Sequence, residues 1–599
     1  MRVGVDTGGT FTDVVAADGR TVKVPSTPRD PSAAVVRGID GLGASVLAHG
    51  TTVATNALLE RRGAAVALIT TAGFADVIEI ARQDRPSLYD AWADRPPPLV
   101  DRSLRLEVVE RMAADGTVLI PLGPTPAVPG GVAAVAVSLL HADRYPAHEA
   151  AVAGGLRALG WDVTASSELA PEFREYERTV TTVLNAYLRP ACGPYLSALA
   201  GLAPSVVVLT SAGGLVPLAV ATTRPATLLL SGPAGGVLAG AAAAVAAGFP
   251  DAVTFDMGGT STDVCLVLGG RPAPAAQRVV AGLPVRLPSL DVHSIGAGGG
   301  SIAALDAGGA LAVGPRSAGA DPGPACYGRG GRLPTVTDAD LVAGRLPSST
   351  SLPGIGPLSL AAARGVLDRA GIPAPGVIDV VDAAMVEAVR AVTVRRGVDP
   401  AALALVAFGG AGPLHACAIA ATLGMRAVVV PPRAGVLSAA GILASPMQED
   451  RVRSWPDMSD HQGVAAGLGA LGAEAAAAVA GSAAVGGAAV VGGSAVVETA
   501  VDCRYAGQGH ELTVPTVEAF EDAHHRLNGY RRPGTPVEVV ALRATARVAS
   551  PVALADLPAP GGRSRLVGPA AIAEPDCAVW VPEGWTAAVH PSGAWVIRR

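Results

Sequence analysis

Two stretches of this chain place carboxylates, hydroxyls and glycines in a spacing that suits phosphate chemistry. "VGVDTGGTFTDVV" runs from Val3 to Val15, and "VTFDMGGTSTDVCLV" runs from Val253 to Val267. Both read Asp-x-Gly-Gly-Thr-x-Thr-Asp-Val, matching at seven of nine positions. Each pattern predicts two short strands joined at Gly8–Gly9 or Gly258–Gly259. Without side chains there, main-chain N–H groups can approach phosphate oxygens closely. Thr10, Thr12, Thr260 and Thr262 add hydroxyl donors. Asp6, Asp13, Asp256 and Asp263 cannot bind phosphate themselves; a carboxylate at a strand end serves by holding Mg2+, usually through waters. The repeat therefore reads as two halves of one site, gripping the phosphates of a single nucleotide from opposite sides.

The bulk properties narrow the class. At 599 residues the chain exceeds a single core, and roughly 150 residues per domain implies three or four domains. Half of it is hydrophobic, 16% is charged, the formal charge is −6 and the isoelectric point is near 6.0, so no basic nucleic-acid footprint is expected. Lys23 is the only lysine among 45 cationic residues. It sits in "GRTVKVPSTP", and no Gly-x-x-x-x-Gly-Lys-Ser/Thr occurs, so neither a P-loop NTPase nor a protein kinase fits. Six cysteines without Cys-x-x-Cys spacing argue against structural zinc or a disulfide framework. No basic-then-apolar leader opens the sequence, and a cytoplasmic protein is expected. Residues 401–425 are apolar enough to raise the membrane question, but their Gly-Gly-Ala-Gly-Pro centre points to strand–turn–helix. The Ala/Gly tract from Gly463 to Ala500 reads as too weakly hydrophobic to insert.

Around these motifs the pattern is α/β. "HGTTVATNALLERRG" predicts a polar loop, then a helix from Thr52 or Val53 capped by Gly63. "AAVALITTAGF" predicts a buried strand, and "VAAVAVSLLHA" with "PAHEAAVAGGLRALG" a strand–helix pair. The proline-rich "RQDRPSLYDAWADRPPPLV" reads as loop. "ELAPEFREYERTVTTVLNAYLRPACGPYLSAL" is the strongest helical stretch. "HSIGAGGGSIAAL" and "GPRSAGADPGPACYGRGG" read as glycine-rich loops. Past Gln448 the chain turns β-rich. The expected domains are residues 1–175, 176–450 and a smaller β-rich 451–599.

The duplicated turn resembles that of the actin-like (ribonuclease H-like) ATPase superfamily, which implies an α/β fold with two related domains and a later glycine turn touching adenosine. "FGGAGP" stands where that turn belongs, with Gly409, Gly410 and Gly412 leaving room for purine and ribose; an ordinary strand-to-helix turn is the alternative. More closely, the chain resembles the A subunit of the hydantoinase/oxoprolinase family. The strings that carry the resemblance include "GVDTGGTFTDVV", "HGTTVATNALLERRG", "SGPAGGV", "FDMGGTSTDV", "SIGAGGGSIA", "FGGAGPLHA", "PPRAGVLSAAGI" and "RYAGQGHEL".

That resemblance implies an ATP-dependent cyclic-amide hydrolase subunit acting on a hydantoin, 5-oxoproline or another lactam. ATP phosphorylates the ring carbonyl, and water then opens the ring in a B-type partner subunit of a hetero-oligomer. It implies ATP with Mg2+ or another divalent ion at Asp6 and Asp256, while Asp13 and Asp263 brace their hairpins or act as base. His49, Thr51, Thr52 and Asn56 are the expected substrate contacts, His49 being otherwise a surface or capping residue. His293 is expected at the cleft, with Arg316 and Arg329 near phosphate. His415 reads equally as a core residue at a helix start, and a metal role shared with His293 and Asp321 lacks ligand spacing. Cys326 reads as inert. The alternatives are the ATPase subunit of an acetone- or acetophenone-type carboxylase, a chaperone-like reactivating ATPase, and a free-standing sugar kinase. Neither nucleic acid nor membrane is expected as a partner.

Overall fold

A computed structural model of the chain describes residues 1–27, 30–485, 493–558 and 561–599. Two large sheets begin in the same way. In the first, strands Arg2–Thr7 and Phe11–Ala16 form an antiparallel hairpin in which Asp6 lies opposite Asp13. In the second, Ala252–Met257 and Thr262–Leu268 pair in the same register, with Asp256 opposite Asp263. Each leading strand also has a parallel neighbour: Val46–Thr51 beside the first and Ala404–Phe408 beside the second. A further parallel strand follows in each, Ser205–Leu209 and Ala427–Val430 respectively. Strand order is thus the same over five positions of each sheet, with Thr21–Pro25 and Arg271–Pro272 at the hairpin edges.

These central strands are continuous apolar runs because both faces are covered, as parallel sheets require. Two helices, Gly232–Ala246 and Leu437–Ala444, lie between the sheets. Ile442 packs with Val46 and Ala48 of the first sheet, whereas Leu437 joins Ala407 and Val428 of the second. Glycines set how closely these layers approach. A Cβ on Gly4 would lie 2.3 Å from the Ala439 carbonyl, and one on Gly441 would lie 1.9 Å from the Gly235 carbonyl. A Cβ on Gly236 would meet the Phe408 ring at 2.6 Å.

A smaller parallel sheet of Val163–Ala165, Ala134–Ser138, Val66–Thr71 and Arg105–Val108 accompanies the first lobe, with helix Ala147–Ala158 packed on it. The long helix expected near residue 175 runs from Glu175 to Leu199 and passes through Pro190 and Pro194.

The segment after Gln448 contributes strands to both large sheets. Val496–Tyr505 and Val537–Val548 extend the first beside Met447–Ser454, while Trp595–Arg598 and Thr586–Val589 extend the second. The Ala/Gly tract expected from Gly463 to Ala500 forms a helix over Val464–Val485, and its residues 486–492 lie outside the described residues. By length and composition Val464–Ala483 is apolar enough to cross a membrane. One face of it, at Leu471, Ala475 and Val479, is buried in the core of the extended first sheet. Two further expectations differ. His49–Thr51 is not loop but the end of a buried strand, and the following helix, Val53–Leu59, ends at Glu60 rather than at Gly63. Gly63 is instead needed for close approach to Tyr187, whose ring a Cβ would meet at 2.0 Å.

The inter-sheet helix crossing yields a stability prediction. Gly441→Ala drives a methyl into backbone and is expected to cost about 1–3 kcal/mol, read as a lower midpoint in denaturant unfolding. Gly469→Ala, where nothing lies within 4 Å of the added carbon, is expected to leave that midpoint unchanged or slightly higher.

Candidate functional site

The two hairpins point their glycine turns at each other. A Cβ on Gly259 would lie 2.8 Å from Thr10 Oγ1, and one on Gly9 would lie 3.8 Å from Thr260 Oγ1. Together they wall one cavity of about 770 Å³. Of the residues anticipated at phosphates and base, Gly8, Gly9, Thr10, Gly258, Gly259, Thr260, Gly409 and Gly410 line it, as do Asp6, Asp13, Asp256 and Asp263.

Thr12, Thr262 and Gly412 do not line it; the two threonines hold their turns from behind. Thr12 Oγ1 is 3.2 Å from Ser26 Oγ, which in turn donates to the Gly8 carbonyl at 2.7 Å. Thr262 Oγ1 donates to the Ala297 carbonyl at 2.7 Å. Gly299 N–H donates to the Gly258 carbonyl at 2.9 Å, so the "SIGAGGG" segment buttresses the second hairpin as Ser26 does the first. Gly409 has a φ of +80°, and a Cβ there would sit 2.4 Å from Asp256 Oδ1. A side chain at that position would be both strained and in collision with the carboxylate.

Main-chain dipoles add to the hairpins. Helix Gly232–Ala246 begins at Gly232 and Pro233, both on the cavity wall, and helix Leu437–Ala444 begins there at Leu437 and Ser438. Helix N-termini carry partial positive charge and free N–H groups, which favour an anion.

The side-chain charge is opposite in sign. Seven acids line the cavity: the four hairpin aspartates with Asp340, Glu574 and Asp576. Lys23 is the one Lys or Arg among the described lining residues. Desolvation pushes Asp6 well above the ordinary carboxylate range, and the nearby charges of Asp13 and Asp256 push it further. Burial and Asp263 raise Asp256 to about 7, against a hydrogen bond from Ser438 at 3.2 Å. Burial raises Asp263 to about 6, offset by a Ser294 hydrogen bond and by Arg278. Burial also raises Asp13, offset by Lys23 at 2.8 Å.

Crowded carboxylates of this kind resist ionising together unless a cation joins them. Asp6 Oδ1 is buried and has no hydrogen-bond partner, so the residues fit a hard divalent cation. No three hairpin aspartates offer oxygens within 4.8 Å of one another among the described residues. A divalent ion held there would keep waters among its ligands.

The anticipated substrate contacts divide. Thr52 and Asn56 line the cavity, joined by Thr55, whereas His49 and Thr51 do not. His49 is fully buried, its Nε2 lies 2.6 Å from the Tyr195 hydroxyl, and burial lowers its imidazole to about 3. It is a neutral core residue, placed there because its strand is covered on both faces. His293, Arg316, Asp321 and Arg329 are exposed and off the cavity wall. Arg329 Nη2 instead donates to the Gly354 carbonyl. Cys326 is buried, with its thiol pushed far up by desolvation and by Asp338, which makes it inert.

Several wall residues were not singled out from sequence. Lys23, Ser294, Ser438 and Asp340 are among them, with Glu574–Cys577 from the C-terminal segment. Ser438 and Gly232 lay inside the noted strings "PPRAGVLSAAGI" and "SGPAGGV", which was their only signal.

Comparison with known proteins now bears on this site. Residues 2–160 match the hydantoinase/oxoprolinase N-terminal region, and residues 178–451 match the hydantoinase/oxoprolinase family. Caprolactamase subunit alpha from Pseudomonas jessenii is 33% identical over 99% of this chain and 98% of its own. 5-Oxoprolinase 1 from Arabidopsis thaliana is 34% identical over 75% of this chain and 42% of its own. The crystal structure of the ATP-dependent caprolactamase from Pseudomonas jessenii superposes with a TM-score of 0.82 at 31% identity, covering 100% of this chain and 99% of that one. The chain belongs to the hydantoinase/oxoprolinase family.

Behind the wall, His415 Nδ1 lies 2.6 Å from Asp382 and its Nε2 3.2 Å from Asp340. Burial opposes charging this ring, but Asp340 and Asp382 outweigh it and raise the imidazole to about 10. Because the folded value exceeds the unfolded one of about 6.5, the stabilisation is complete below pH 6.5 and declines as pH rises through about 10. The stability difference between wild type and His415→Asn, measured by denaturant unfolding, is therefore expected to be largest near pH 6 and to shrink steadily towards pH 10.

Proposed function

We propose that this protein is the ATP-using subunit of a cyclic-amide hydrolase, phosphorylating a ring carbonyl before the ring is opened in a B-type partner subunit. The observation that carries this reading is the meeting of two matched Asp-Gly-Gly-Thr hairpins across one acidic cavity. The repeated strand order supports an actin-like, duplicated architecture, with residues 1–175 and 176–450 as its lobes and 451–599 completing both sheets. The similarity to caprolactamase subunit alpha and 5-oxoprolinase supports a hydantoin, 5-oxoproline or related lactam as the substrate class. We place the protein in the cytoplasm, in a hetero-oligomer.

An amide ring resists hydrolysis because its carbonyl is a weak electrophile and its nitrogen a poor leaving group. Transfer of the γ-phosphoryl group to the carbonyl oxygen breaks the bond to ADP and forms an O-phosphorylated imidate, while the ring N–H loses its proton. Phosphoryl transfer asks chiefly for positioning and charge neutralisation. In this reading the turns at Gly8–Thr10 and Gly258–Thr260 hold phosphate oxygens, and Gly409 and Gly410 leave space for the nucleoside. Asp6 and Asp256 would hold Mg2+, which would neutralise developing phosphate charge. Asp263, whose carboxyl burial raises to about 6 and which is still mainly carboxylate at neutral pH, or Asp13 receives the ring proton. Thr52 and Asn56 orient the acceptor ring at the start of helix Val53–Leu59.

The test is phosphate release by the purified chain with its presumed partner. Hydantoin, 5-oxoproline or a lactam is expected to stimulate it, and Asp256→Ala is expected to lower it at least about a hundredfold while unfolding stays cooperative. Stimulation by acetone with bicarbonate instead would point to the carboxylase branch. Turnover indifferent to all of these, or undiminished in Asp256→Ala, would overturn the assignment.

A further inference from the structure

The single lysine of this chain occupies a place that the phosphorylation reading does not require. Lys23 lies on the edge strand Thr21–Pro25, directly opposite Asp13. Its side chain is 13% exposed, its Nζ is 2.8 Å from Asp13 Oδ1, and its ammonium stands 5.1 Å from the Phe11 ring centroid. All three groups belong to the first lobe. The same Nζ also donates to the Gly435 carbonyl at 3.1 Å, and Gly435 sits on the loop that enters the inter-sheet helix Leu437–Ala444.

That loop is pinned from two sides. Gly409 of the glycine turn donates its N–H to the neighbouring Ala434 carbonyl at 2.9 Å. Gly435 N–H donates to Asp576 Oδ2 at 3.0 Å, and a Cβ on Gly435 would lie only 1.8 Å from the Asp576 carbonyl oxygen. A continuous path thus runs from Asp13 through the ammonium and the main chain of Gly435 to the C-terminal segment, with the glycine turn attached beside it. Among the described residues of the cavity lining this is the one lysine or arginine, facing seven acids.

We propose that Lys23 is a positioning residue that latches the first hairpin to the opposite wall of the cleft, fixing the gap across which the two glycine turns hold a nucleotide. The inference rests on the nucleotide reading for its purpose, although the latch itself is made of the chain's own groups. A compact ammonium with three donors can serve Asp13 and the Gly435 carbonyl at once, whereas a planar guanidinium is built for a different geometry. The contact to Asp13 lies within one lobe; the contact to Gly435 is the one that a change in the gap would break.

Two measurements on the full chain decide it. Because Lys23 and the N-terminus are its only amines, acylation of Lys23 by an amine-reactive ester can be followed by mass spectrometry of one peptide, without nucleotide. Asp576→Asn weakens the hold on Gly435 and is expected to speed that acylation about tenfold, the worth of one charge-assisted hydrogen bond. An unchanged rate would overturn the latch. Calorimetric titration with Mg·ATP then tests its purpose. Lys23→Met and Lys23→Arg are both expected to weaken binding about tenfold, with unaltered far-ultraviolet dichroism. Wild-type affinity in Lys23→Arg would reduce the residue to a generic charge and sink the positioning role. Failure of the wild type itself to bind Mg·ATP would overturn the nucleotide reading, and with it the purpose given to the latch. The acylation comparison would still decide whether the latch exists.

Discussion

The close approach of the two inter-sheet helices governs everything else in this molecule. Helices normally pack with axes about 8–10 Å apart because their side chains interpose. Here Gly235 and Gly441 remove those side chains at the crossing, and Gly4 does the same where a helix meets the first sheet. The sheets are drawn together as a consequence, and two hairpins far apart in sequence come within side-chain reach of one another. If those glycines were larger, each hairpin would still form, since its register depends only on local pairing. The cavity between them would not have its present width. The site is thus a property of the packing between lobes rather than of either motif.

A second constraint is electrostatic. Backbone donors from two turns and the starts of two helices make the cavity attractive to phosphate, while its side chains make it repellent. These opposing fields are reconciled by a ligand that brings anion and divalent cation together, as a metal-bound nucleotide does. Free phosphate would meet the carboxylates without compensation, and a free cation would meet the helix ends. The raised carboxyls of Asp6 and Asp256 express the same frustration among the side chains.

The motifs that were legible in the sequence are those whose meaning is local. An Asp-Gly-Gly-Thr turn between apolar runs specifies a hairpin by itself, and the strand–turn–helix at residues 404–423 follows from its glycines and proline. His49 misled because polar residues beside glycine look like loop. Only the tertiary structure, with strands paired along both edges and a helix bringing Tyr195 to the ring, reveals that it is buried. Lys23 stands out in the sequence as the only lysine, but its placement was illegible for the complementary reason. Its importance comes from a cross-strand partner ten residues back and a carbonyl 412 residues onward, neither of which leaves a periodic trace. The return of the C-terminal strands to both sheets is likewise a matter of edge pairing, and no residue in "ETAVDCRYAGQGHELTV" announces which edge it will join.

The duplication also explains where the two halves ought to differ. In register, Asp6 neighbours Gly50 and Asp256 neighbours Phe408, so "HGTTVATN" in the first lobe is the positional counterpart of "FGGAGP" in the second. The second-lobe turn is stripped of side chains, and Gly409 presses against Asp256; it leaves volume for a flat, bulky group. The first-lobe turn keeps Thr52, Thr55 and Asn56 on the cavity wall and thereby offers hydroxyl and amide groups instead. In the proposed reading the nucleotide takes the bare side and a small polar ring the hydroxylated one, with the phosphates between them at the paired hairpins. In that register Thr52 stands where the second lobe has Gly410, and this difference gives the two ends of the cleft different chemistry.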